Sequence, residues 1–211
     1  MTAIKSGVSS NRILYNPLSP KEIGDVDRAI GEIMSAKGNL YMDDRSTSNI
    51  ETIISSIRTH KIRNNIHGAV IDYLQILNVN MRNTNKEQAM ADVARRLKNL
   101  AKDLGIWIIA LSQLNRADGE PNINRLRDSG QIAEASDVVM LVYRPEKNGV
   151  AKYAPPFENI DVRGTALVDI AKGRNIGVGK FVCGFHGATT SFYDLDALPS
   201  RQAENKVQMP F

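Results

Sequence analysis

The chain has 211 residues, 42% hydrophobic and 24% charged, with a net charge of +4. This is the balance of an ordinary soluble globular protein with room for one large core, and no run approaches the roughly 18 apolar residues of a membrane span. A single cysteine, Cys183, excludes an internal disulfide framework, and the scatter of His60, His67 and His186 suggests no zinc site.

The N-terminus lacks the apolar core of a signal peptide, so the expected location is cytoplasmic. Ser19-Pro20-Lys21-Glu22 reads as a helix start, with a capping Ser, Pro at the first helical position and Glu three after the cap. Ile23, Val26, Ile30, Ile33 and Met34 then give that helix one apolar face, and Lys37-Gly38 ends it. "NLYMDD", residues 39–44, predicts a short strand. Ser48 and Glu51 predict a capped second helix with the stripe Ile50, Ile53, Ile54 and Ile57.

"GAVIDYLQIL", Gly68 to Leu77, is an apolar strand that stops on an acid, Asp72. After the polar stretch "NVNMRNTN", Thr84 and Glu87 predict a capped third helix. Its stripe is Met90, Val93, Leu97, Leu100, Ala101 and Leu104, and its stop is Gly105. The outer face of this helix carries Arg95, Arg96, Lys98 and Lys102. "IWIIAL" (Ile106 to Leu111) and "DVVMLVY" (Asp137 to Tyr143) are apolar on both alternating faces, as expected of central strands covered on two sides.

Alternating helices and strands imply an α/β fold with a mostly parallel sheet. The last third reads differently. "GTALVDIAKG" and "GKFVCGFHG", joined through "GRNIGVG", and then "SFYDL" predict antiparallel strands and a hairpin at the C-terminal edge. Residues 145–163 read as a long mobile loop, and the tail from 199 to 211 as disordered.

In open α/β sheets, ligands sit beyond the carboxyl ends of the strands. Three strands here end on polar groups. The first ends on Asp72, the second on Ser112, Gln113, Asn115 and Arg116, and the third on Tyr143 and Arg144. An acid and an amide on neighbouring strand ends suit a magnesium-nucleotide site. The acid can hold the ion through its water shell, and the amide can bond a terminal phosphate or the attacking water.

The phosphate loop G-x-x-x-x-G-K-[ST] that should accompany them does not occur in these 211 residues. "GRNIGVGK" (Gly173 to Lys180) has one residue too many between its outer glycines, Phe181 after the Lys, and strands on both sides. It reads as a hairpin tip. Lys172 and Arg174 fall on alternate positions there, so both point the same way. They are either a solvated basic hairpin or a cation pair offered to another subunit's phosphate. Arg127, Ser129 and Gly130 could contact a phosphate oxygen, or could belong to an ordinary capped helix with Asp128 or Ser129 as its cap.

Four blocks occur in order: "VIDYLQIL", "RRLKNLAKDLGIWIIALSQLNR", "LRDSGQIAEASDVVMLVYR" and "AKGRNIGVG". With them the chain resembles the C-terminal RecA-like motor domain of the DnaB-type replicative DNA helicases, weakly from Ile4 to Asp44 and strongly from Val70 to Gly179. The resemblance implies one partial RecA-like domain over residues 1–198. It implies ATP and Mg as cofactors, a homo-hexameric ring, single-stranded DNA in its channel, and a primase or helicase loader as a further partner.

Residue by residue, Asp72 resembles the Walker B acid that supports magnesium, and Gln113 the amide that senses the terminal phosphate. Lys172 and Arg174 resemble the arginine-finger hairpin acting in trans on a neighbour's ATP. Arg127, Asp128, Ser129 and Gly130 resemble the channel loop that grips the DNA backbone. Two family features differ at the finger: an amide residue is usual where this chain has Gly173, and Gly where it has Ile176. Asp128 replaces a common Glu.

The family's phosphate loop and catalytic Glu precede the segment that Ile4 to Asp44 resembles. The expectation is therefore that this chain alone hydrolyses ATP negligibly. Two alternatives are a non-catalytic module that binds single strands or inserts into a helicase ring, and another RecA-like ATPase such as a recombinase. "DYLQ" and "SQLNR" argue against the recombinase.

Overall fold

The computed structural model describes residues 1–35, 40–44, 49–77, 86–114, 119–123 and 130–195. The chain divides into two compact units. The first comprises Met1–Lys37, Val142–Val168 and Lys180–Phe211; the second comprises Gly38–Leu141 and Asp169–Gly179. Its helices are α1 (Thr2–Ser6), α2 (Ser10–Tyr15), α3 (Pro20–Ser35), α4 (Ile50–Asn64), α5 (Lys86–Leu104) and α6 (Gly130–Ala135). The strands are β1 (Gly68–Ile71), β2 (Trp107–Ala110), β3 (Val138–Tyr143), β4 (Thr165–Gly173), β5 (Gly179–His186) and β6 (Ser191–Tyr193). They form a two-stranded sheet, β1-β2, and a four-stranded sheet in the order β3-β4-β5-β6.

In the second unit, α4 starts on Asn49, whose side chain accepts the Glu51 backbone N–H at 2.9 Å. Ser48 and Thr84, the expected caps of α4 and α5, lie outside the described residues, as does Asn39. Leu40–Asp44 forms no strand; Tyr41 instead lies 5.3 Å from the His60 ring. The expected helical stripes are where the core forms. Ile50 and Ile57 of α4 pack with Met90, Val93, Leu97 and Leu100 of α5, over Ile71, Leu74 and Ile106. Gly105 turns the chain out of α5 at φ +59°, a conformation open to glycine at little cost.

β1 and β2 are parallel, with Gly68 opposite Trp107 and Ile71 opposite Ala110, the arrangement that a helical crossover such as α5 makes. A Cβ on Gly68 would sit 2.0 Å from the Trp107 ring, so any other residue there requires that ring to move. The expectation that "IWIIAL" and "DVVMLVY" are covered on two sides fails. β3 alternates strictly between exposed and buried residues. On the β1-β2 pair, Val70, Trp107, Ile109 and Leu111 remain 59%, 54%, 51% and 44% exposed. An apolar run records that a strand can be covered twice; only the neighbouring layers decide whether it is.

In the first unit the capping box at Ser19 forms as read. Glu22 Oε2 accepts the Ser19 backbone N–H and hydroxyl, each at 2.8 Å, and the Arg12 guanidinium grips the same carboxylate at 2.6 and 2.7 Å. Of the apolar face of α3, Val26 and Ala29 are buried, while Ile23, Ile30 and Met34 stay exposed. Residues 145–163 carry Tyr153, Phe157, Ile160 and Val162, which pack with Tyr143 and Leu167. The Tyr153 hydroxyl meets Thr165 Oγ1 at 2.9 Å. The predicted antiparallel edge is present: β5 and β6 pair antiparallel, with Gly184 opposite Tyr193.

The Arg12 bond, helped by the Ser19 bonds, lowers the Glu22 carboxyl to about 2. Its contribution to folding is full above the unfolded value of about 4.3 and is lost as pH falls through the folded one. Melting temperatures measured from about pH 5 to about pH 2 should fall more steeply for the parent chain than for Glu22→Gln.

Candidate functional site

The parallel register sets the first part of the site. The Leu111 N–H donates to Ile71 O, and the Leu74 N–H donates to Leu111 O, both at 2.9 Å. Asp72 therefore leaves β1 beside the exit of β2, and Gln113 follows two residues after Leu111. A single 3-10 turn, Leu74–Ile76, carries Gln75 across to that exit. Its Nε2 donates to Ser112 Oγ at 2.8 Å, and its Oε1 accepts the Gln113 backbone N–H at 3.1 Å. One half-buried amide thus ties the segment after the acid to the segment bearing Gln113. Asp72 and Gln113 are themselves exposed.

Among the described residues no group of three or more His, Cys, Asp or Glu could hold a metal ion. A lone exposed carboxylate fits magnesium all the same, because that ion keeps several waters and takes one or two carboxylates plus substrate phosphates.

The second part is the hairpin between β4 and β5, in the same unit. Lys172 Nζ donates to Ala133 O at 2.7 Å and to Glu134 O at 2.9 Å. These are carbonyls of the last turn of α6, where the helix carries partial negative charge. The Arg174 N–H donates to Asp137 O at 2.8 Å, and its Nη1 lies 3.3 Å from Asp137 Oδ1. Lys98 of α5 bonds the other oxygen, Oδ2. The Lys98 bond, with Arg174 and Lys172 nearby, holds the Asp137 carboxyl below its usual range.

"GRNIGVGK" is the tip of a hairpin, flanked by strands as expected. A Cβ on Gly173 would lie 2.0 Å from the Gly177 carbonyl oxygen, and Gly177 sits at φ +77°. Gly173, where the resemblance implies an amide residue, therefore has a local reason: this tip closes more tightly than a side chain allows. Restoring the amide as Gly173→Gln should cost about 1–3 kcal/mol, read as a lower urea midpoint at unchanged slope.

Arg127, Asp128 and Ser129, with Asn115 and Arg116, lie outside the described residues; Gly130 opens α6. Tyr143 and Arg144 belong to the first unit. Tyr143 is buried in its core, and Arg144 lies 3.9 Å over the Phe185 ring. Two groups escaped sequence reasoning as site residues. Gln75 was visible as an amide three residues after the acid, and Asp137 as an acid just before an apolar strand. No helix among the described residues is long and apolar enough to cross a membrane.

The model of the DnaB-like helicase C-terminal domain family matches residues 1–194. The replicative DNA helicase DnaB of Buchnera aphidicola subsp. Acyrthosiphon pisum is 32% identical over 198 residues, 91% of this chain and 41% of that protein. That of Geobacillus stearothermophilus is 28% identical over 204 residues, 93% of this chain and 42% of that protein. The chain thus spans less than half the length of these relatives.

A solved DnaB-like replicative helicase, described with its interactions with primase, superposes with a TM-score of 0.77 at 26% identity, covering 92% of this chain and 47% of that one. A second solved structure, an ATPase domain, superposes with the same score at 27% identity, covering 92% of this chain and 68% of that one. With a family model matched along nearly its whole length, and with the mixed α/β fold of those helicase domains, the chain belongs to the DnaB-like helicase C-terminal domain family.

Proposed function

We propose that this chain is the C-terminal part of a replicative helicase motor, one that couples ATP hydrolysis to translocation on single-stranded DNA within a hexameric ring. The observation that carries the reading is the Gln75 bridge, which ties the exit of the Asp72 strand to Ser112 and Gln113 at the next strand's end. In that reading Asp72 holds the magnesium of ATP through water, and Gln113 bonds the terminal phosphate. The ion's part is to neutralise charge on the phosphates. Arg174, with Lys172 beside it, serves the nucleotide of the neighbouring subunit, where a finger of this kind is worth about 10³–10⁵ in rate. In the same reading the DNA backbone is the ligand of Arg127, Asp128, Ser129 and Gly130.

The bare apolar face of Val70, Trp107, Ile109 and Leu111 supports the same reading. A parallel sheet calls for a layer on each face, and the solved ATPase domain extends beyond the 68% of it that this chain matches. The relative described with primase makes that class of protein a candidate partner.

The test is complementation. A full-length DnaB-type helicase whose own finger arginine is replaced by alanine is mixed with this chain, and DNA-stimulated ATP hydrolysis is followed. The chain should restore hydrolysis, and its Arg174→Ala variant should not. Equal effects of the two overturn the reading. Restored hydrolysis without unwinding favours a finger-donating module over a working motor segment, a distinction raised by the missing phosphate-loop motif.

A further inference from the structure

We infer that Asp137 is a positioning residue that aims Arg174 at the neighbouring subunit's nucleotide, an inference that rests on the trans role proposed for Arg174. Asp137 holds Arg174 twice. Its carbonyl accepts the Arg174 backbone N–H at 2.8 Å, and its carboxylate faces Nη1 at 3.3 Å. Lys98 bonds the other carboxylate oxygen, which gives the carboxylate a second anchor besides the arginine.

Two residues earlier, near the end of β4, Lys172 donates to Ala133 O and Glu134 O. The root of the hairpin is therefore pinned on the short segment from Ala133 to Asp137 by two cations on alternate positions. Lys172 is held there, against the negative end of α6. Arg174 is freer. Its side chain is 55% exposed, and a guanidinium has five N–H donors for the one side-chain bond it makes among the described residues. An exposed ion pair at this distance is a weak restraint. It gives the guanidinium a direction and leaves its remaining donors and its charge available to phosphate oxygens. An aspartate carboxyl is ionised at neutral pH, so the restraint is present there.

An incidental surface pair would look similar, but it would leave the finger's output unchanged when removed. The same mixed assay separates the two. The full chain is titrated into the finger-deficient helicase as wild type, Asp137→Asn, Asp137→Glu and Arg174→Ala. Two quantities are read: the maximal DNA-stimulated hydrolysis, and the concentration of chain giving half of it.

Asp137→Asn should lower the maximum about tenfold, short of the roughly hundredfold that a 1 Å misplacement costs, with the half-effect concentration unchanged. Asp137→Glu should recover most of the loss. Asp137 is 52% exposed, so its removal buries no unpaired group; Asp137→Ser is the second variant should the asparagine fail to fold. A maximum unchanged by Asp137→Asn, while Arg174→Ala still abolishes it, overturns this inference alone. A maximum raised by Asp137→Asn also overturns it, since Asp137 would then restrain the finger. An Arg174→Ala chain as effective as wild type overturns the trans role and this inference together.

Discussion

The 211-residue chain by itself should hydrolyse ATP negligibly, below about 10⁻³ of the ~10 s⁻¹ of a typical enzyme. The acid and the amide after β1 and β2 can hold an ion and one phosphate oxygen. They offer no set of backbone N–H groups for the β- and γ-phosphates and no lysine to neutralise them. The glycine-rich stretch that most resembles such a loop is the β4-β5 tip. There Lys172 is turned onto the carbonyls of α6, and the carbonyl of Gly177 fills the space beside Gly173. A phosphate-release assay at millimolar ATP, with and without single-stranded DNA, checks this. Robust turnover that disappears in Asp72→Ala would refute it, because the chain would then hold a phosphate cradle of another kind.

Leu74→Ala should cost about 2–5 kcal/mol of folding stability. Leu74 is 1% exposed and lies in the core cluster with Met90, Val93 and Leu100, so its loss leaves a cavity among side chains that cannot close over it. Ile76, two residues on in the same 3-10 turn, is 47% exposed. Ile76→Ala should therefore change stability by no more than about 0.5 kcal/mol. Urea unfolding of the two variants beside the parent chain reads the difference. Equal losses would mean that the turn after Asp72 is not seated on the α4-α5 core. The pair also separates stability from chemistry, since neither side chain is a candidate ligand.

The helices were readable because their signals are local. Ser19 and Glu22 stand three residues apart and find each other within one turn, and the stripe Met90, Val93, Leu97, Leu100 repeats on the helical period. The strand over residues 39–44 was misread because Tyr41 and its apolar neighbours satisfy a strand pattern as well as an extended segment beside α4. The site was half readable. Asp72 and Gln113 stood out as polar residues after apolar strands. Gln75 did not, because nothing in "DYLQ" says that its amide reaches residues 37 and 38 positions away.

By itself the sequence determined α3, α4, α5 and the strands β1 to β6, that their order makes an α/β domain of this family, and that a hairpin bearing Lys172 and Arg174 ends β4. Each of these follows from spacing within a few residues or from four ordered blocks. The tertiary structure alone decided which strand faces are covered, which carbonyls take the Lys172 charge, and that Asp137 and Lys98 meet Arg174. Those outcomes depend on contacts between residues tens of positions apart. A hydrogen bond or a covering layer there is set by how the α4-α5 core seats β1, β2 and α6, a property that no local period records.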